Sequence, residues 1–409
     1  MHCEVTYLKM VAIGCRSAST KPVPRRGALT MAVLFALLLI AIGPAHAQTE
    51  TVLYSFCSQL NCTDGYNPFA GLVMDKKGNL YGTTYQGGAN ANGGNGTVFE
   101  ITVAGEEKVL YSFTGSNGDA GNPYAGLVMD KRGNLYGTTV GGGVNGSGAV
   151  FELSPSGTET VLYSFCSQPS CTDGATPYAG LVMDKKGNLY GTTYQGGVNG
   201  NGTVFEISPS RTETVLHSFA HSDGASPLAG LVIDQKGNLY GTTTVGGVNG
   251  NGTVFEITAA GEEKVLYSFT GSNGDGEFPY AGLVMDKKGN FYGTTELGGA
   301  NGNGTVFEII AAGEEKVLYS FTGSNGDGDP VAGLVMDKKG NLYGTTVGTV
   351  FKVSPSGTET VLYVFCSQSG CTDGAGPMAG LVMDRQGNLY GTTSYGGANG
   401  VGVVFKVTP

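Results

Sequence analysis

No apolar run in this chain reaches the roughly 20 residues that a helix needs to span a bilayer. The longest, residues 31–43 (MAVLFALLLIAIG), is about 13 residues long. Histidine is scarce: of four in 409 residues, only His217 and His221 lie beyond residue 47. Both lie in one repeat, and the sequence offers no plausible Ser-His-Asp set. A basic excess is missing too. Without residues 1–47, which hold Lys9, Arg16, Lys21, Arg25, Arg26 and Glu4, the totals of 23 basic and 33 acidic residues become 18 and 32, net −14. A nucleic-acid partner, held largely by Lys and Arg at phosphates, is therefore not expected. No Gly-X-Y period accompanies the 71 glycines, so collagen is excluded, and 40% hydrophobic residues are too many for a disordered chain.

What is present begins with a leader. Lys21, Arg25 and Arg26 precede the short apolar run, and AHAQ follows it at residues 45–48. Positive charge, a short apolar core and an A-x-A site describe a secretory signal peptide cut after Ala47, with export to the bacterial surface, the periplasm or the medium. Beyond it lie six cysteines in three pairs of one spacing, Cys57 and Cys62, Cys166 and Cys171, Cys366 and Cys371. Local, even-numbered pairs in an exported protein read as loop disulfides. Zinc knuckles are the rival, but C-x4-C is looser than their usual spacing and no histidine recurs beside the pairs.

Repetition dominates the rest. GLVMD or a near copy starts at Gly71, Gly126, Gly180, Gly230, Gly282, Gly333 and Gly380, at intervals of 55, 54, 50, 52, 51 and 47 residues. TVFE and VLYSF phrases recur in the same order. Each period holds four short strands rich in Val, Leu, Tyr and Phe, joined by Gly, Asn and Asp turns. The chain beyond residue 47 opens with a lone VLYSF and closes on VVFKVTP, which lacks one. The orphan strand can complete the last unit and remove the exposed edge. The expected fold is all-β: residues 48–409 form one domain, a seven-bladed β-propeller of four-stranded blades closed by its N-terminal strand.

The phrase P-x-A-G-L-V-M-D-x-x-G-N-L-Y is similar to the inner-strand phrase of NHL-type propellers. The fuller unit, with YGTTxxGGxNGxGTVFE and VLYSF, resembles the GloVer tandem repeats of bacterial exported proteins. That resemblance covers residues 50–409 and implies a propeller-like surface or secreted protein. It brings no catalytic residues with it.

Sorting residues by loop separates two faces. The DKKGN turns hold 12 of the 18 basic residues, mixed with acids, as solvated turns do. Loops on the other face have no Lys or Arg. Each carries one aspartate: Asp64, Asp119, Asp173, Asp223, Asp275, Asp327 and Asp373, joined by Glu277, Glu296 and Asp329. Tyr85, Tyr194 and Tyr395 lie among them. Carboxylates, amides and tyrosine faces suit sugar hydroxyls, and a calcium ion is the one cofactor they could hold, although Asp-Gly steps are also plain turn chemistry. The expected function is a monomeric, non-enzymatic binding scaffold for an extracellular polysaccharide or protein. The alternative is a metal-assisted hydrolase or lyase on the same scaffold, centred on His217 or His221.

Overall fold

The computed structural model describes residues 49–89, 93–310, 313–324 and 326–409. The expected signal peptide lies outside the described residues. Seven four-stranded antiparallel sheets follow one another from Thr49 to Thr408. Blade 1 comprises Val73–Met74, Leu80–Thr84, Thr97–Ile101 and Glu107–Ser112, from the inner strand outwards. Blades 2 to 6 repeat this order. Blade 7 takes its first three strands from Val382–Met383, Leu389–Thr393 and Val403–Thr408, and its outer strand is Thr49–Ser55. The expected closure is therefore present: Thr49 pairs with Thr408 and Ser55 with Val403. A β-propeller of seven blades results, with the first and last described strands paired in one sheet.

Why this sequence packs as blades is legible at one cross-strand pair. Gly82 lies opposite Phe99 in the register. A Cβ on Gly82 would come within 2.6 Å of the Phe99 ring and 2.8 Å of Leu72. The glycine of YGTT leaves the space that the phenylalanine of TVFE fills. Each such Phe then meets a Phe that ends the preceding outer strand. Phe113 and Phe151, Phe165 and Phe205, and across the closure Phe56 and Phe99, stand edge to face at 4.9 to 5.0 Å. These rings are completely buried, so the apolar core is distributed over the blade junctions.

Two closed chains of contacts run around the ring nearer its axis. Thr83 Oγ1 donates to the Ala125 carbonyl at 3.1 Å, and the equivalent bond recurs at every junction until Thr392 donates to Ala70 at 2.9 Å. At the centre, glycines stack against neighbouring glycine carbonyls. A Cβ on Gly126 would lie 2.9 Å from Gly71 O, and one on Gly71 would lie 3.0 Å from Gly380 O. GLVMD must open with glycine because the inner strands converge there. The DKKGN stretches are turns. Asp75 Oδ1 accepts the N–H groups of Lys77 and Asn79 at 2.8 and 2.9 Å, while Oδ2 accepts from the Asn79 amide at 3.0 Å. Among the described residues no helix is long and apolar enough to cross a membrane.

Candidate functional site

Three disulfides close the loops that precede the inner strands of blades 1, 3 and 7: Cys57–Cys62, Cys166–Cys171 and Cys366–Cys371, with Cα separations of 4.0 to 4.1 Å. Inside each of these loops the expected aspartate faces inward. Asp64, 0% exposed, accepts the Tyr54 hydroxyl and the Ser58 N–H at 2.8 Å each, and the Ser58 hydroxyl at 3.1 Å. Asp173 and Asp373 repeat this geometry with Tyr163 and Ser167, and with Tyr363 and Ser367. Burial would raise both carboxyls, but the donors around them outweigh it and hold them below the ordinary value. In the shorter loops Asp119, Asp275 and Asp327 accept from Tyr111, Tyr267 and Tyr319 and from Thr114, Thr270 and Thr322. Six of the seven aspartates thus anchor their own loops to a tyrosine of the outer strand. The seventh, Asp223, faces His217 instead, 3.4 Å from its Nε2.

Each aspartate also has a glutamate near it, at the start of the next outer strand. Burial first, and the Asp64 charge second, push the Glu107 carboxyl up to about 7. The same surroundings bring Glu50, Glu159, Glu213, Glu315 and Glu359 to about 7. The Oε1 atom of each is buried without a hydrogen-bond partner among the described residues. This girdle takes its Tyr and Glu from the outer strands and its Asp from the loops between them, and links successive blades.

Around the channel the picture differs. Residues between the buried proline and alanine of P-x-A-G are half-buried: Phe69, Tyr124, Tyr178, Leu228, Tyr280, Val331 and Met378. In blades 1 to 3 they join Tyr85 and Tyr194 in one arc of rings. Phe69 stacks on Tyr124 at 5.1 Å with planes 18° apart, and Tyr124 meets Tyr178 edge-on at 5.2 Å. Tyr85 stands edge-on to Phe69 at 5.7 Å, and Tyr194 to Tyr178 at 5.5 Å. Burial, followed by the phenols of Tyr85 and Tyr194, raises the Tyr178 pKa. In a ring of seven, the positions facing blade 2 belong to blades 5 and 6. There Glu296 occupies the position of Tyr85, and Asp329 that of Asn67. Burial first, then Asp329, raises the Glu296 carboxyl, and burial raises Asp329. The aromatic arc of blades 1 to 3 and the two carboxyls of blades 5 and 6 therefore stand on opposite sides of the ring.

Of the expected tyrosines, Tyr85 and Tyr194 belong to the arc. Tyr395 occupies the next position along, that of Gln86 and Gln195, where its backbone pairs with Ala375 and its side chain is 42% exposed. Phe69, Tyr124 and Tyr178 escaped the sequence reading. Their signal was there: one variable, often aromatic position inside the otherwise constant phrase P-x-A-G.

These features define a repeat propeller whose girdle is the same at six of its seven junctions and whose channel mouth varies. Residues 40–243 match the Gloeobacter/Verrucomicrobia repeat, and the chain belongs to that family. Nothing among curated proteins matches it. Among solved structures it is similar to virginiamycin B lyase from Staphylococcus aureus, at 13% identity and TM-score 0.60, covering 88% of this chain and 99% of the other. It is also similar to the extracellular domain of a protein described as a hybrid two component system from B. thetaiotaomicron, at 14% identity and TM-score 0.56, covering 88% and 41%. A third likeness is to PorZ, a surface component of the type-IX secretion system of Porphyromonas gingivalis, at 17% identity and TM-score 0.53, covering 83% and 46%. At these identities the likeness speaks for the fold alone.

Proposed function

We propose that this protein is an exported, non-enzymatic binding scaffold that holds an extracellular polysaccharide at the channel mouth. The observation that carries the reading is the arc of Phe69, Tyr85, Tyr124, Tyr178 and Tyr194, placed in the ring opposite Glu296 and Asp329. Tyrosine faces offer flat apolar area that loses little entropy on binding, and they suit the C–H faces of pyranose rings. The opposite carboxyls accept hydrogen bonds from sugar hydroxyls. The inward-turned aspartates support this site from below by fixing the loops that carry it. The paired cysteines fit an oxidising compartment and so the export half of the reading.

Affinity electrophoresis in gels cast with single polysaccharides tests the proposal. At least one polysaccharide should retard the full chain, with or without EDTA, and Tyr124→Ala combined with Tyr178→Ala should weaken that retention at least tenfold. Retention by none, or equal retention of the double variant, would overturn it. So would capture of a protein ligand alone. New reducing ends or unsaturated products from the retained polymer would replace it with the hydrolase or lyase reading.

A further inference from the structure

One blade junction departs from the girdle in three linked ways. The outer strand of blade 3, Glu213–Ser218, carries His217 where the six others carry tyrosine. The loop after it is the shortest: Asp223 follows Phe219 by four residues, whereas Asp119 follows Phe113 by six and Asp64 follows Phe56 by eight. Shortening strips donors from the carboxylate. Asp64 accepts from Tyr54, Ser58 and Gln59, while Asp223 Oδ1 accepts only the Ala220 N–H, at 2.8 Å. The Asp223 side chain is also 23% exposed, against 0% for Asp64.

The third member is Glu263, which opens the outer strand of blade 4, Glu263–Ser268. One atom each from His217, Asp223 and Glu263 lie within 4.8 Å of one another. His217 Nε2 and Glu263 Oε1 are buried and have no hydrogen-bond partner among the described residues. The imidazole stands edge-on to Phe219 at 4.8 Å. Where the other junctions place a phenol that donates to aspartate, this one places an imidazole nitrogen beside two carboxylates.

We propose that His217, Asp223 and Glu263 bind a single divalent transition cation of the zinc type, linking blade 3 to blade 4. Mixed imidazole and carboxylate donors suit Zn²⁺ and its neighbours, whereas a hard ion such as Ca²⁺ takes oxygen alone. Donors about 2.0–2.1 Å from zinc stand closer together than these three. Rotation of the part-exposed His217 and Asp223 side chains closes the gap, and solvent completes the coordination. The ion ties together a junction whose loop, like those before blades 2, 5 and 6, has no cysteine pair.

Isothermal titration of the full chain, purified without a polyhistidine tag, tests this with ZnCl₂ and separately with CaCl₂. One zinc per chain should bind, calcium should not compete, and zinc should raise the melting temperature. His217→Tyr restores the residue of the six sibling blades, so the variant should stay folded and lose zinc affinity at least a hundredfold. Glu263→Gln should weaken it at least tenfold, and His221→Ala should leave it unchanged. No zinc bound by the wild type, unaltered binding by H217Y, or loss of binding in H221A would each overturn the proposal.

Discussion

The outer girdle and the channel mouth are built from the same seven repeats, but they treat variation in opposite ways. In the girdle a carboxylate keeps its partner while the loop around it changes from eight residues to six. At the mouth the backbone is constant, and the side chains change from Phe69, Tyr124 and Tyr178 to Leu228, Tyr280, Val331 and Met378. Contacts that repeat at every junction are those that a closed ring requires; a ligand, bound once, needs no sevenfold copy. Residues that differ between blades on an unchanged backbone are thus where recognition belongs. His217 is informative as the one place where variation enters the girdle.

Ways to break this contrast can be ranked by expected effect. Deleting Thr49–Ser55 together with Phe56 removes the outer strand of blade 7 and the ring packed on Phe99. It exposes the Val403–Thr408 edge and should abolish a monomeric, cooperatively melting protein. An unchanged size-exclusion profile and melting curve would show that closure is dispensable. Phe205→Ala, at a junction remote from the closure, should cost about 3–5 kcal/mol in denaturant titration. Asp173→Asn leaves one amide oxygen where a carboxylate met Tyr163, Ser167 and Gln168. It should cost about 1–3 kcal/mol, and a neutral result would mean that the aspartate is not an anchor.

The girdle also sets a pH dependence. Glu50, Glu107, Glu159, Glu213, Glu315 and Glu359 have folded values of about 7, above the ~4.3 of an unfolded glutamate. Between those values the folded chain binds more protons than the unfolded one, so stability falls as pH rises. Their contribution is complete below the unfolded value and is lost as pH passes about 7. Asp173 and Asp373, held below their ordinary value, act with the opposite sign in stronger acid. The melting temperature should therefore be higher at pH 5 than at pH 8, and Glu107→Gln should flatten the slope. A melting temperature that climbs from pH 5 to pH 8 would refute the assignment. Smallest of all, Tyr124→Ala at the half-buried mouth should move stability by at most about 1 kcal/mol.

Much of this fold was legible in the sequence because it is periodic. Asp-x-x-Gly-Asn turns, the count of GLVMD phrases and the strand left over at Val52 each point to a closed ring of seven, and the structure has it. Side-chain direction was not legible. Asp64 and its equivalents read as an acidic surface because a loop carboxylate in a sequence has no inside or outside. What could have placed them was their survival through loops of different length, in six of the seven blades after a Tyr-x-Phe strand end. The aromatic arc was hidden for a related reason: Phe69, Tyr124 and Tyr178 lie far apart in the chain, and only the packing of successive blades makes them neighbours. Tyr395 shows the limit from the other side, since a shift of one residue along the strand places it off the arc.

The contrast between girdle and mouth comes to a point in one paired measurement. Melting temperature and polysaccharide retention would be read on the same preparations of wild type, Tyr124→Ala with Tyr178→Ala, and Asp64→Asn. The tyrosine variant should lose retention and keep its melting temperature, whereas the aspartate variant should melt lower and keep its retention at a temperature where it is folded. The reverse pattern, with retention following the aspartate and stability following the tyrosines, would contradict the account.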